Sequence, residues 1–229
     1  MAALLYYCQS CFGMSGYLPM DETYKTPAGV ATATLVEKKS EFIVVLAPAI
    51  DEDAAMDFLA GVRAQHRDAN HNVWALRLRE GGRERCSDDG EPAKTAGAPV
   101  LAVLAGAGLV NCILVVTRYF GGTLLGTGGL VRAYSGAASA AVAAAHIATV
   151  RPLCRFTVTL PYPLYDSAAR LLADTGAAVE DTAFTDRVII TAVLPKAEAP
   201  ALHATLANLL RGGDGIAISA PFHAPWPAE

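Results

Sequence analysis

A chain of 229 residues that is 53% hydrophobic and only 17% charged has ample apolar material for packed cores, which excludes a disordered or highly charged polypeptide. Its length fits two domains of ordinary size. The net charge of −4 is evenly spread, with twelve basic and twelve acidic side chains in residues 24–150 and six against eight in 151–229, so no basic tract is present to grip duplex nucleic acid by charge alone.

Residues 1–22 lack clear periodicity and are expected to form a mobile tail or a translated extension, because Met14 and Met20 follow the opening apolar stretch. Cys8 and Cys11 form a CxxC with no second pair to complete a zinc site. With Cys86, Cys112 and Cys154 they make an odd number without framework spacing, as expected of free thiols in a reducing compartment. No apolar run approaches the ~18 residues of a membrane span, and no basic region precedes the apolar N-terminal residues. The expected location is the cytoplasm.

Runs 30–36 and 41–47 are β-prone and joined by Glu37-Lys38-Lys39-Ser40, a predicted hairpin. Asp51-Glu52-Asp53 then opens a predicted helix, with Ala55, Phe58, Leu59 and Val62 at helical spacing and an end near 70–72. Residues 73–78 alternate as a strand, and 79–89 form a charged turn region. A short helix is predicted over 99–107. The apolar run 111–117 predicts a strand covered on both faces. Residues 121–129 hold five glycines and lead into a helix over 130–146 with small residues on one face.

A boundary is placed at 148–152. Beyond it the pattern restarts: strand 154–160, helix 164–175, strands 177–184 and 187–194, helix 195–211 opening on Pro195, and strand 215–220. That order is the ferredoxin-like split βαβ. The expected organisation is an extension over 1–22, a first domain over 23–150, a ferredoxin-like domain over 151–222 and a tail over 223–229.

Three groups of residues can carry chemistry. In the segment 118–134 a buried strand runs through a glycine-rich loop into a helix. Unpaired N–H groups at a helix start and the helix dipole favour an anion, and glycine permits close approach. Arg118 and Arg132 can supply planar donors to phosphate or carboxylate, and Tyr119, Phe120 and Tyr134 can stack on a ring. The expected anion-binding set is therefore Arg118, Tyr119, Phe120, Gly121, Gly122, Gly126, Gly128, Gly129, Arg132 and Tyr134. The bland alternative is a tight turn, with both arginines bound to acids. The second group is the acidic turn of Asp88, Asp89 and Glu91, which can hold Mg²⁺ or, more simply, pair with the arginines. The third is His71, a possible acid or base near a strand start, against the plainer reading of a surface histidine. The GxSxG, HExxH and Walker-type patterns are all missing from the sequence.

Asn70-His71-X-X-Trp74-Ala75, Ser87-Asp88-Asp89-Gly90-Glu91-Pro92, Thr95-Ala96-Gly97-X-Pro99 and Val116-Thr117-Arg118-Tyr119-Phe120-Gly121-Gly122 resemble the YigZ/IMPACT family. Leu125-Gly126-X-Gly128-Gly129-Leu130-X-Arg132-Ala133-Tyr134 continues the resemblance, which covers about 23–221. One departure is Ala93-Lys94, where that family usually carries Ser-Gly.

The resemblance implies a two-layer α+β or α/β protein. Its first domain would have the βαβ superfold of a ribosomal small-subunit protein, the GHMP kinases and elongation-factor domain IV. Its second would be similar to the ferredoxin-like last domain of elongation factor G. Eukaryotic members of that family are translation regulators that bind the activator of an amino-acid-starvation kinase, mainly through an additional domain without counterpart in these 229 residues. The leading expectation is a noncatalytic factor binding RNA, the ribosome or another anionic ligand. The rivals are an enzyme acting on a small phosphorylated substrate, with Mg²⁺ on the acidic turn and His71 as base, and a protein-interaction module.

Overall fold

The computed structural model describes residues 23–212 and 214–226, so the expectations for the N-terminal extension and for Cys8 and Cys11 lie outside the described residues. The chain divides into two units, Tyr24–Thr149 and Val150 onward.

The first unit opens with the short strand β1 (Tyr24–Pro27) and the hairpin β2 (Ala31–Glu37) and β3 (Ser40–Pro48). The hairpin turn is Lys38-Lys39, with φ of 46° and 67°, the left-handed pair that a two-residue turn requires. Helix α1 (Glu52–Gln65) follows. The Asp51 carboxylate caps it by accepting the Ala54 N–H at 2.8 Å, and Glu52 and Asp53 add acid where the helix dipole favours it. It stops at Gln65, five residues before the expected end.

Strand β4 (His71–Arg77) pairs with β5 (Glu84–Ser87), which occupies the region read as a charged turn. The sequence Glu-Arg-Cys-Ser has no apolar alternation. It becomes a strand because β4 offers it a free edge and Arg77 meets Glu84 at 2.7 Å. Helix α2 (Gly97–Gly106), strand β6 (Cys112–Tyr119) and helix α3 (Thr127–Ala144) complete the unit. Helix α3 begins three residues earlier than expected, so Gly128 and Gly129 lie in its first turn rather than in the loop.

The five strands are ordered β2-β3-β6-β4-β5, with antiparallel neighbours throughout. Strands β3 and β4 are therefore mutually parallel, joined by α1 and separated by β6. Even-numbered residues of β6 (Cys112, Leu114, Val116) pack with Val100, Leu104, Ala133, Tyr134 and Ala137 of α2 and α3. Odd-numbered Ile113 and Val115 pack with Ala55, Leu59 and Val62 of α1. Helices thus cover both faces, giving three layers where two were expected; an apolar run buried on both sides requires it.

The second unit carries most of the long strand β7 (Ile147–Leu160), followed by α4 (Tyr165–Asp174), β8 (Ala178–Phe184), β9 (Val188–Pro195), α5 (Ala199–Leu209), β10 (Ile216–Ile218) and β11 (Phe222–Pro225). The strand order is β10-β7-β9-β8, antiparallel throughout. Ala168 and Leu172 of α4 and Leu202 and Leu206 of α5 bury one face against Phe156, Val158, Leu160, Ile190 and Leu194. Pro195 ends β9 instead of opening the helix; a short 3₁₀ turn (Lys196–Glu198) intervenes and Pro200 takes the first-turn position. Phe222–Pro225 also pairs with β7, although the sequence reading placed a tail from residue 223. Among the described residues no helix is long and apolar enough to cross a membrane.

Candidate functional site

Register places the central residues. Arg118 lies between Phe42 of β3 and His71 of β4, and it continues the even-numbered face of β6 toward α3. A side chain of this polarity would not normally be buried in such a layer, yet only 5% of Arg118 is exposed. Its Nη1 donates to Glu91 Oε1 at 2.6 Å and its Nη2 to Ser40 Oγ at 3.4 Å. The same Glu91 oxygen accepts the Tyr134 hydroxyl at 2.8 Å, with His71 Nε2 3.8 Å away. The guanidinium carbon lies 5.5 Å from the Phe42 ring centre and 5.6 Å from that of Phe120. Arg118 Nε is buried without an acceptor.

Tyr134 is fully buried and meets Phe42 edge-on, with ring centres 5.1 Å apart. Burial, then the bond to Glu91, holds its phenol protonated far above its ordinary range, so it remains a donor to the carboxylate.

The acidic turn scatters its three carboxylates. Asp88 turns toward the start of α2, where Oδ1 accepts the N–H groups of Ala96 and Gly97 and Oδ2 that of Lys94. Asp89 accepts from Arg63 Nη2 at 2.5 Å and from the Asn72 N–H at 2.7 Å. Glu91 alone points at Arg118. Each carboxylate has its own partners, and among the described residues no group of three His, Cys, Asp or Glu side chains could hold a metal. The residues therefore do not fit the Mg²⁺ alternative for the acidic turn. Lys94 approaches Asp88 through its backbone N–H, and it does so at φ 63°, the left-handed region that favours glycine.

Burial pushes the Asp88 carboxyl up, but the N–H groups of Lys94, Gly97 and Ala96 outweigh it and leave it below its ordinary value. A lowered folded-state value stabilises the fold above the unfolded value near about 4, and the gain is lost as pH falls through the folded one. Asp88→Ala is expected to cost about 1–2 kcal/mol at pH 7 through the lost cap. Urea unfolding should show the gap between the two proteins narrowing below about pH 4; a constant gap down to pH 2 would assign the effect to packing.

The loop after β6 is pinned to the hairpin. The Phe120 N–H donates to Asn70 Oδ1 at 2.8 Å and the Gly121 N–H to Ser40 Oγ at 3.2 Å. A Cβ on Gly121 would fall 2.0 Å from the Lys39 carbonyl carbon, so only glycine fits there. Gly122 and Gly126 have φ of 83° and 71°. Gly128 has no such need, since a Cβ there would meet only Arg132 Nη1 at 3.6 Å.

Between β4, β6 and the start of α3 lies a cavity of about 480 Å³. Its walls include His71, Glu91, Arg118 and Phe120, with Leu124–Leu125, Gly126, Thr127 and Leu130 closing the far side. Helix α3 starts here with Gly126 as N-cap and no side chain capping it, so its first N–H groups have no intrahelical acceptor, and Gly126 and Thr127 line the cavity. His71 Nδ1 lies 2.8 Å from the Asp89 carbonyl oxygen, which can only accept. Nδ1 therefore carries a hydrogen, and Nε2 lies 3.8 Å from Glu91 Oε1 in the cavity wall.

Not all of the expected anion-binding set converges. Tyr119 points to the opposite face, where its hydroxyl lies 2.9 Å from His66 Nδ1. Tyr134 is sealed beneath the cavity. Arg132 is exposed beside Glu37 and Lys38 at a separate cavity of about 210 Å³. Arg118, Phe120 and Gly126 meet at the first cavity with His71 and Glu91. Sequence reasoning missed Ser40, Phe42, Asn70 and Arg63, which hold these groups in place. For Arg118 a signal existed, because it continues the alternation Cys112, Leu114, Val116.

Two mixed α+β units, the first a five-stranded sheet between helices with a cavity at one end, define the class of protein. Residues 38–142 match the Impact N-terminal domain, and residues 158–212 match the Domain of unknown function (DUF1949). The chain belongs to the IMPACT family. It is 37% identical to the IMPACT family member YigZ of Escherichia coli over 194 residues, 83% of this chain and 95% of that protein. Identity is 41% over 116 residues to the IMPACT family member YvyE of Bacillus subtilis, covering 50% of this chain and 54% of that one. Protein IMPACT of Mus musculus is 29% identical over 111 residues, 46% of this chain and 34% of the mouse protein. A crystal structure described as that of a hypothetical protein is 36% identical, with a TM-score of 0.57 over 87% of this chain and 97% of its own.

Proposed function

We propose that the first unit binds a small organic anion in the cavity between β4, β6 and the start of α3. The observation that carries this reading is Arg118, a guanidinium 95% removed from solvent in the cavity wall, with its Nε–H unpaired beside an uncapped helix start. Glu91 already offsets the Arg118 charge, so what remains for a negatively charged group is the unpaired Nε–H and the uncapped helix start. The family resemblance supports a translation-associated role with RNA or the ribosome as partner. A stacking surface for a nucleic acid strand finds less support, since Tyr119 and Tyr134 are turned away and Arg132 stands apart. In the second unit, β8 adds Glu180 and Asp181, whose charge opposes phosphate.

Thr127→Asp tests the anion reading in a protein that folds, because an acid at the first position of α3 favours the helix. Inorganic phosphate, pyrophosphate and simple phosphate esters are expected to raise the melting temperature of the wild type but not of Thr127→Asp. Equal shifts in both, or none in either, would refute the proposal. Salt-dependent binding of single-stranded RNA that survives Thr127→Asp would place the RNA contact elsewhere.

A further inference from the structure

The cavity has three chemically different walls, and together they describe a ligand more closely than its charge does. At one end lie the free N–H groups of the α3 start with Thr127, suited to an anionic head. At the start of β4 lies His71, which lines the cavity and whose Nδ1 is held by the Asp89 carbonyl. The nearest carboxylate oxygen, Glu91 Oε1, is 3.8 Å from Nε2 and already taken by Arg118 and Tyr134. At that spacing the two share no hydrogen bond, so Nε2 is left to a hydroxyl, which can donate or accept, supplied from the cavity. The third wall is the Phe120 ring, 45% exposed with the Arg118 guanidinium carbon 5.6 Å from its centre, and Leu124 and Leu125 continue the apolar surface.

An inorganic anion would use only the first wall. An anionic head, a hydroxyl and a flat apolar body within about 480 Å³ are the three parts of one common class of molecule. Resting on the anion reading above, we infer that the ligand is a nucleoside monophosphate. Its phosphate sits at the start of α3, a ribose hydroxyl hydrogen-bonds to His71 Nε2, and the base lies on Phe120. Arg118 and Glu91 form the floor. The guanidinium is engaged by Glu91 and Ser40, so it holds the Phe120 ring, while the helix N–H groups make the direct contacts to phosphate.

Calorimetric titration with AMP, ribose 5-phosphate, adenosine and inorganic phosphate separates the walls. AMP is expected to bind at least about 10-fold more tightly than ribose 5-phosphate, the effect of stacking one base on an aromatic ring. Phe120→Leu, a change at an exposed side chain, is expected to erase that difference. His71→Asn retains a donor for the Asp89 carbonyl and removes Nε2. It is expected to weaken AMP and ribose 5-phosphate about 10-fold, the effect of one buried hydrogen bond, and to leave inorganic phosphate unchanged. If AMP, ribose 5-phosphate and inorganic phosphate bind equally, or if both variants leave AMP untouched, the nucleotide inference fails and the anion reading stands. If adenosine binds as tightly as AMP, the phosphate has no place at α3. If none of the four binds, both readings fail.

Discussion

Glu91→Ala is expected to destabilise the first unit by about 3–5 kcal/mol, the largest loss at any polar position of the site. Only 4% of the Glu91 side chain and 6% of the Arg118 side chain are exposed, so removing the carboxylate leaves a guanidinium buried without a counter-charge. It also leaves the Tyr134 hydroxyl without its acceptor in a fully enclosed position. Cutting out both charges should do less harm than cutting out one: Arg118→Met with Glu91→Leu is expected to be more stable than Glu91→Ala alone. Urea unfolding of the singles and the double, at neutral pH, reads the coupling directly. Additive losses would mean that the pair is held apart by water and contributes packing only.

Gly121→Ala is the second large effect. The new methyl would lie 2.0 Å from the Lys39 carbonyl carbon, 2.1 Å from its oxygen and 2.4 Å from the Ser40 nitrogen, all backbone atoms of the β2–β3 hairpin. None of these can swing aside as a side chain would, so the loop must leave the hairpin and the Ser40 and Asn70 bonds must stretch. A loss of about 3 kcal/mol or more is expected, at the upper end of overpacking costs. Gly122→Ala is the control. Its Cβ would find open space, and only the φ of 83° opposes it, a penalty of about 1 kcal/mol. Thermal unfolding of the two variants compares steric exclusion with backbone strain one residue apart; equal losses would show that the close approach is not enforced.

Alternation and end signals made much of the fold legible. The run from Cys112 to Val116 could only be a strand covered on both sides, and Asp51 with its acidic neighbours marked the start of α1. The restart beyond residue 150 yielded strand, helix, strand, strand, helix, strand in the order found. Strands β1, β5 and β11 were not legible, because edge strands owe their existence to a neighbour's unpaired backbone rather than to their own apolar pattern. The lysines at the β2–β3 turn show the same dependence: their left-handed conformation is imposed by the strands that they join.

The candidate site divides along a similar line. Residue types and their local spacing determined by themselves that a buried strand would deliver Arg118 to a glycine-rich turn and a helix start. The tertiary structure alone decided which groups meet there. Hydrogen-bonded register set Arg118 between Phe42 and His71, and the turn after β5 swung Glu91 onto it. The same register sent Tyr119 to the far face, and the turn of α3 carried Arg132 out to solvent. Side-chain direction follows the two-residue period of a strand and the 3.6-residue period of a helix, whereas contact across strands follows register, which no short stretch of sequence encodes.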